Sequence, residues 1–117
     1  MVYCQMPLKE LIPRMQNKLV KIDPLWIISM TADYFNISVS NLTSKKRIRR
    51  YVMARHVSIW LIRNTTDLIL SDIGKYFSSD HTTVIHALKK VNNYKGIYSD
   101  IRIDIEYLHS KILSYNS

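Results

Sequence analysis

Residues 80–83 (Asp-His-Thr-Thr) are four consecutive polar side chains of the types that hydrogen-bond to nucleic-acid bases. Apolar residues follow at Val84, Leu88 and Val91, the spacing of one helix face, which places the polar run in the first turn of a helix. A carboxylate accepts from cytosine N4, and a threonine hydroxyl bonds to either kind of group, while its methyl contacts the thymine methyl. The pattern therefore predicts a helix whose N-terminal turn touches base edges.

A second helical segment, residues 71–77, lies directly upstream and is separated from the first only by a short connection. Two short helices joined in this way are typical of a helix-turn-helix, in which the second helix enters the major groove. Gly74 falls inside the upstream helix, where glycine costs roughly 1 kcal/mol relative to alanine. We expect a close approach by the crossing helix to require it, although a chance mid-helix glycine is the simpler alternative.

The polar turn also has a purely structural interpretation. Asp80 is suited to interact with the helix dipole, and Thr82 and Thr83 are suited to capping. Taken alone, such a turn is more often a cap than a binding site. The adjacent helix pair and a nearby cluster of basic residues favour nucleic-acid recognition.

Positive charge is concentrated in one part of the chain. The 117 residues include 17 Lys or Arg against 9 Asp or Glu, a net charge of +8. Seven of these basic groups lie within residues 44–66, which contain no acidic residue. An uncompensated field of this kind attracts polyanions, of which nucleic acid and anionic membrane are the usual ones.

The basic segment has two parts with different expected roles. Residues 45–50 (Lys-Lys-Arg-Ile-Arg-Arg) begin the segment, and their flexible start is suited to a narrow, A·T-rich minor groove. Arg49, His56 and Arg63 are seven residues apart, so they share a helix face with about 20° of drift per step. A row of positive groups on that face can follow a phosphate backbone. A solvated basic helix face is the alternative.

The remaining segments predict an all-α helical bundle with an embedded helix-turn-helix. Asp23 and Pro24 open a helix as N-cap and first residue, which ends at Asn36. Residues 38–43 form one helical turn or a loop. The apolar stripe expected for the first helix is Leu25, Ile28, Ala32 and Phe35. A long helix is expected over 47–64, and the recognition helix is expected to end at an exit over 92–96. A final helix is expected over 99–115, and the residues of its apolar face are Ile101, Ile105, Leu108 and Ile112.

Three divisions of the chain follow from this pattern. Residues 1–22 are an N-terminal extension, 23–95 the DNA-binding domain, and 96–117 a C-terminal helix packed on it.

The single cysteine, Cys4, excludes an internal disulfide, and no apolar run approaches the ~18 residues of a membrane span. No signal peptide is evident, so we expect a cytoplasmic protein. The four histidines lack metal-site spacing, and we expect neither an enzyme nor a bound cofactor or metal.

Three motifs in order resemble the C-terminal DNA-binding domain of the bacterial replication initiator DnaA. Residues 80–87 (DHTTVIHA) resemble the family's DHTTV-x-HA signature, and residues 71–77 (SDIGKYF) resemble S-x-x-E-I-G-x-x-F. Residues 44–47 (SKKR) with 54–56 (ARH) resemble S-K-[KR]-R … A-R-[QH]. The resemblance covers roughly residues 25–94. It departs in the connection, where only residues 78–79 (Ser-Ser) intervene, so the turn is one residue shorter than usual.

The resemblance implies a role for each matching residue. Arg47 is implied as the minor-groove arginine, and Asp80, His81 and Thr82 as readers of bases in the major groove. Phosphate contacts are expected from the basic segment and from the positions that match the family, which together are Lys45, Lys46, Arg49, Arg55, His56, Arg63, Thr83 and Lys90.

The expected function is sequence-specific binding of double-stranded DNA at a DnaA-box-like site, as a regulator of transcription or replication. The chain has no G-x-x-x-x-G-K-[ST] phosphate loop, so we expect a stand-alone binder without ATPase activity, nucleotide or membrane contact. Its expected location is the bacterial nucleoid or phage-infected cytoplasm. The alternative is a protein-interaction module that keeps the fold without DNA recognition. Its terminal helices would bind a partner or pair two copies through Tyr94, Tyr98, Tyr107 and Tyr115.

Overall fold

A computed structural model describes residues 22–115, so residues 1–21 of the predicted N-terminal extension, with Cys4, lie outside the described residues. Within that range the chain forms helices and no strands, which confirms the all-α prediction. The helices are α1 Pro24–Tyr34, α2 Val39–Leu42, α3 Arg49–Thr65, α4 Leu70–Lys75, α5 His81–Ile97 and α6 Ser99–Tyr115. No helix in residues 22–115 is long and apolar enough to cross a bilayer.

Helix α3 is the centre of the bundle, and α1, α5 and α6 pack around it. Its second half is buried on nearly every side, from Val57 to Ile62. A helix that is apolar all round must be covered all round, because exposed apolar area is unfavourable in water. The first half of α3 is more polar and more exposed, and the basic segment begins there.

Helix α1 begins as predicted. The Asp23 carboxylate accepts a hydrogen bond from the Leu25 N–H at 2.9 Å, and Pro24 is the first helical residue. The predicted stripe was wrong at Leu25, which is 57% exposed. The buried face instead includes Thr31, whose hydroxyl donates to the Ile27 carbonyl at 2.8 Å. Because that bond satisfies the hydroxyl, a polar residue occupies a core position that an apolar pattern does not reveal.

Helix α5 is longer than predicted. The expected exit at 92–96 was wrong, since the helix continues to Ile97 and the Tyr98 N–H still donates to the Tyr94 carbonyl at 2.8 Å. Packing of the last turns stabilises them: the Lys95 ammonium lies 4.3 Å from the centroid of the Trp60 ring. Gly96 has open space around it, so it only weakens the helix locally.

Helix α6 matches its predicted bounds and covers the core. Ile105, Leu108 and Ile112 are buried, and Ile101 packs against them. Aromatic contacts tie the helix down: Tyr115 stacks on Trp26 with ring centroids 4.4 Å apart, Tyr107 stacks on Tyr34 at 5.5 Å, and His109 meets Trp60 edge-on at 5.4 Å. The Tyr34 hydroxyl donates to Asp104 at 2.5 Å, and this bond, with burial, raises the pKa of Tyr34 to about 12. The division at residues 95 and 96 stays a prediction.

Candidate nucleic-acid interface

The turn between α4 and α5 depends on Gly74. The Ser79 N–H donates to the Gly74 carbonyl at 2.9 Å, and Ser78 adopts a left-handed φ of 54°. A methyl group added at Gly74 would collide with the Ser79 carbonyl oxygen and would lie 3.1 Å from the Ser79 carbonyl carbon. The predicted close approach to Gly74 is therefore confirmed. The approaching backbone atoms belong to the turn and to the start of α5.

The first turn of α5, residues 80–83, is called the recognition tip below. All four of its residues are exposed. Asp80 is the N-cap, and its Oδ1 accepts from the Thr83 N–H at 2.9 Å. Hydrogen bonds from the Thr83 backbone and side chain lower the pKa of Asp80. Capping thus keeps the carboxylate ionised and in a fixed position, without covering the tip.

The two faces of α5 are divided as the spacing predicts. Val84, Ala87 and Val91 are buried, with Ile85 and Leu88 partly buried beside them. The outward residues Thr82, His86, Lys89 and Asn93 are all exposed. The helix therefore presents a continuous polar surface that begins at the recognition tip.

Residues 45–48 (Lys-Lys-Arg-Ile), called the basic arm below, connect α2 to α3 without forming a helix. All four are exposed, including Arg47. Helix α3 begins at Arg49 and ends at Thr65, so the predicted bounds of 47–64 were displaced by one or two residues. An exposed extended arm beside a helix bundle has the form of the arms that enter minor grooves in other DNA-binding proteins.

Arg55 turns toward the protein. Its Nε donates to the Leu42 carbonyl at 2.8 Å, and its Nη2 donates to the carbonyls of Asn41 at 3.4 Å and Lys46 at 3.2 Å. Burial lowers the pKa of Arg55. Three of the five guanidinium donors are therefore directed at backbone carbonyls around the basic arm.

The row of Arg49, His56 and Arg63 is less positive than the spacing suggested. Arg49 and Arg63 are exposed, but His56 is partly buried and its Nδ1 has no hydrogen-bond partner. Burial, followed by the positive charges of Arg55 and Lys90, lowers the pKa of His56 to about 4. His56 is thus neutral at pH 7, which corrects the expectation of three positive groups in a row. The Arg63 Nη1 donates to the Leu68 carbonyl at 3.3 Å.

Helix α3 contacts both the basic arm and α5. Arg55 contacts Lys46 of the arm, and the positive charge of Lys90 on α5 helps to lower the pKa of the next residue, His56. Lys90 lies ten residues after Asp80, about 15 Å along the helix axis. Among the predicted site residues, the exposed positive groups are those of the basic arm, Arg49 and Arg63 on α3, and Lys90 on α5. Residues 22–115 contain no cluster of three or more His, Cys, Asp or Glu that could hold a metal ion.

Sequence reasoning missed the residues that support the basic arm. Asn41 donates from Nδ2 to the Tyr51 hydroxyl at 3.1 Å and accepts at Oδ1 from the Lys46 ammonium at 3.3 Å. The Ser44 hydroxyl donates to the Asn41 carbonyl at 2.7 Å. These residues carry no periodic or charge signal, because each acts through individual hydrogen bonds that depend on the folded chain.

A helix-turn-helix with an exposed polar tip and a neighbouring basic arm defines a DNA-binding domain of the helix-turn-helix class. The family model for the bacterial dnaA protein helix-turn-helix matches residues 25–91. The chain belongs to this family.

Known proteins similar to the chain are consistent with this assignment. The chromosomal replication initiator protein DnaA of Cutibacterium acnes is 38% identical over 109 residues, covering 92% of this chain and 21% of that protein. The protein of the same name from Bdellovibrio bacteriovorus is 40% identical over 87 residues, covering 74% of this chain and 18% of that protein. The chain thus spans about a fifth of the length of these curated relatives. A crystal structure of a DNA replication initiation factor has a TM-score of 0.71 at 25% identity, over 90% of this chain and 31% of that one.

Proposed function

We propose that the chain binds a short, asymmetric, DnaA-box-like site in double-stranded DNA and regulates transcription or replication through it. The basic arm lies in the minor groove and the recognition tip in the adjacent major groove. The observation that carries the proposal is that the basic arm and the recognition tip are both exposed, as are the cations Arg49 and Arg63 on α3 and Lys90 on α5. We propose DNA binding, without nucleotide hydrolysis, as the activity of these residues, because the chain contains no phosphate-loop motif.

Each exposed group has a proposed task. Arg47 enters the minor groove, whose narrow A·T-rich form attracts arginine. Asp80, His81 and Thr82 contact base edges, since the N-terminal residues of a recognition helix lie deepest in the major groove. The proposed phosphate contacts are Lys45, Lys46, Arg49, Arg55, His56, Arg63, Thr83 and Lys90. His56 acts as a neutral hydrogen-bond donor because of its lowered pKa.

Selection of bound duplexes from a random pool tests the proposal directly. We expect enrichment of one short motif and an affinity that falls steeply with salt, as counterions are released from phosphates. Arg47→Ala and His81→Ala should each cost on the order of 1–3 kcal/mol and relax the preference at different base pairs. Lys90→Ala should weaken all duplexes alike and reduce the salt slope by about 1.

Lys111→Ala is the matched control, because it also removes one positive charge but lies on α6, where its ammonium is 5.8 Å from the Tyr107 ring. It should leave both the affinity and the preference nearly unchanged. A pool that shows no enrichment, or an affinity that does not depend on salt, would contradict the proposal.

A second candidate is a protein-interaction module. The exposed side of α6 includes Ile103, which is 59% exposed, and Leu113, which is 53% exposed. Against it, Tyr107 and Tyr115 stack on aromatic residues of α1, and Tyr94 lies beside Tyr98, so the tyrosines make contacts within the molecule. An Ile103→Asp variant distinguishes the two functions: it should leave the selected duplex bound with wild-type affinity if DNA recognition is the function.

A further inference from the structure

We propose that Arg55 is a positioning residue for minor-groove recognition. Its guanidinium holds the base of the basic arm, and this sets where Arg47 enters the minor groove relative to the recognition tip. The inference rests on the proposed function and deepens it, because it assigns Arg55 to the placement of the arm in addition to its predicted phosphate contact.

The hydrogen bonds of Arg55 join two parts of the chain. Leu42 and Asn41 end α2, and their carbonyls belong to the last turn of that helix, where carbonyls lack partners within the helix. The Lys46 carbonyl belongs to the basic arm. One planar side chain on α3 therefore fixes the end of α2 and the middle of the arm at the same time.

The Lys46 carbonyl is the one that matters for recognition. Its carbon is bonded to the backbone nitrogen of Arg47, and the peptide group between them is planar. Fixing this carbonyl at 3.2 Å from Arg55 Nη2 fixes the peptide plane from which the Arg47 side chain departs. The next Cα lies only 3.8 Å further along the chain, so little freedom accumulates between the held atom and Arg47.

Two other hydrogen bonds hold the same part of the arm, in addition to the one donated by Arg55. The Lys46 N–H donates to the Ser44 hydroxyl at 3.2 Å, and that hydroxyl donates to the Asn41 carbonyl at 2.7 Å. With its N–H and C=O both engaged, the Lys46 backbone is ordered before DNA arrives. Ordering a residue costs conformational entropy, which an arm fixed in advance does not lose on binding.

Arginine is needed for this role because of its shape. Its donors form a rigid fork that reaches two or three carbonyls at once, whereas a lysine ammonium is a flexible point charge. Arg55→Lys therefore keeps the positive charge and removes the fork. This variant separates positioning from a phosphate contact, for which the charge is the main requirement.

The test uses the duplex that the wild-type chain selects from a random pool. A second set of duplexes replaces adenine by 2,6-diaminopurine at single A·T pairs, which adds an amino group in the minor groove and leaves the major-groove edge unchanged. Wild-type protein should bind the modified duplex roughly tenfold more weakly at the pairs that Arg47 touches. Arg55→Lys should lose most of this discrimination, as should Arg47→Ala, while the salt slope of Arg55→Lys stays at the wild-type value.

Arg102→Lys is the matched control, because it makes the same substitution at an exposed arginine of α6 that belongs to neither the basic arm, the recognition tip nor the proposed phosphate contacts. It should keep the full discrimination. Combining Arg47→Ala with Arg55→Lys should add no further loss, because both act on one contact. The inference is overturned if Arg55→Lys discriminates like the wild type, or if it weakens modified and unmodified duplexes equally.

A measurement on the unaltered chain covers the case in which Arg55→Lys does not fold. The Arg55 Nε–H should give a slowly exchanging NMR signal in the free protein and in the complex, since it donates to a carbonyl at 2.8 Å. Rapid exchange in the free protein would overturn the inference. If the wild-type chain itself selects no duplex, the proposed function fails, and the exchange of this proton still reports whether Arg55 is held against the end of α2.

Discussion

The basic arm and the recognition tip are both exposed, but different forces hold them in place. The tip is the end of a 17-residue helix whose inner face is buried in the core. The arm has no regular secondary structure and is held by hydrogen bonds that it forms with Arg55, Asn41 and Ser44. Packing therefore positions the recognition tip, proposed for the major groove, and directional polar contacts position the basic arm, proposed for the minor groove.

This difference determines which substitutions affect each element. Packing responds to volume, since interiors are as dense as organic crystals and adapt poorly to an added methyl group. Hydrogen bonds respond to the number and geometry of donors, so a change that conserves charge can still displace the arm. The two elements should then be separable by mutation, although we propose that both act on the same DNA.

The largest effect is expected from Gly74→Ala, which pushes a methyl group against the Ser79 carbonyl. We expect a loss of about 2 kcal/mol in the free energy of unfolding, measured by urea denaturation. Displacement of α4 from the start of α5 should also relax preference in the major groove. Minor-groove discrimination by the basic arm should persist. If the major-groove preference and the minor-groove discrimination are lost together, the two elements are not positioned independently.

Gly96→Ala is the control for this substitution. Gly96 lies in α5 with nothing near the position of an added methyl group. Removing a helical glycine without a clash should stabilise the protein by about 0.5–1 kcal/mol. Equal destabilisation by both substitutions would show that helix composition, and not the close approach at Gly74, causes the loss.

The next effect concerns His56, which lies on α3 between the arm and α5. Folded His56 binds a proton only near pH 4, whereas an ordinary histidine does so near pH 6.5. Between these values the unfolded chain holds more protons, so stability is fully present above about pH 6.5 and falls as the pH decreases toward 4. The loss should be on the order of 1–2 kcal/mol, because the partial exposure of the ring reduces the full effect.

Urea denaturation at pH 7 and pH 4.5 measures this loss, with His56→Gln as the comparison. Burial also lowers the pKa of His109, but that residue contributes equally to both proteins. The difference between their pH dependences therefore reports His56. An identical pH dependence in the two proteins would contradict the lowered pKa of His56. It would then be possible for His56 to carry a positive charge between the two elements.

The smallest effect is expected at the turn. Ser78 has a φ of 54°, a conformation that glycine adopts without strain, so Ser78→Gly should stabilise the protein by about 0.5–1 kcal/mol. Asn36→Gly, at a φ of 60°, should have less effect, because asparagine tolerates this conformation. Thermal denaturation of the two variants and the wild type measures these changes in stability. Destabilisation by Ser78→Gly would indicate that the serine side chain, and not only the backbone, holds the short turn.

Sequence patterns predicted the elements that packing positions. The bounds of α6, the helix pair and the need for glycine at residue 74 were all read from spacing and composition. The errors lie at particular contacts. Leu25 is exposed while a hydrogen-bonded Thr31 lies in the core, and α5 passes 92–96, where Lys95 packs on Trp60. Neither contact leaves a periodic signal in the sequence.

The site divides in the same way. The exposure of residues 80–83 follows from a helix start with polar side chains, and the sequence contains that information. The inward direction of Arg55 and the neutral state of His56 do not follow from residue type.

By itself, the sequence determined that the chain forms helices, which faces are apolar and where positive charge accumulates, because these properties depend on neighbours within one or two helical turns. Only the tertiary structure decided which cations face solvent and which bind backbone carbonyls. Burial and the charge of a distant residue set the protonation of His56, and the carbonyls of residues 41, 42 and 46 come within reach of Arg55 only after α2 packs against α3.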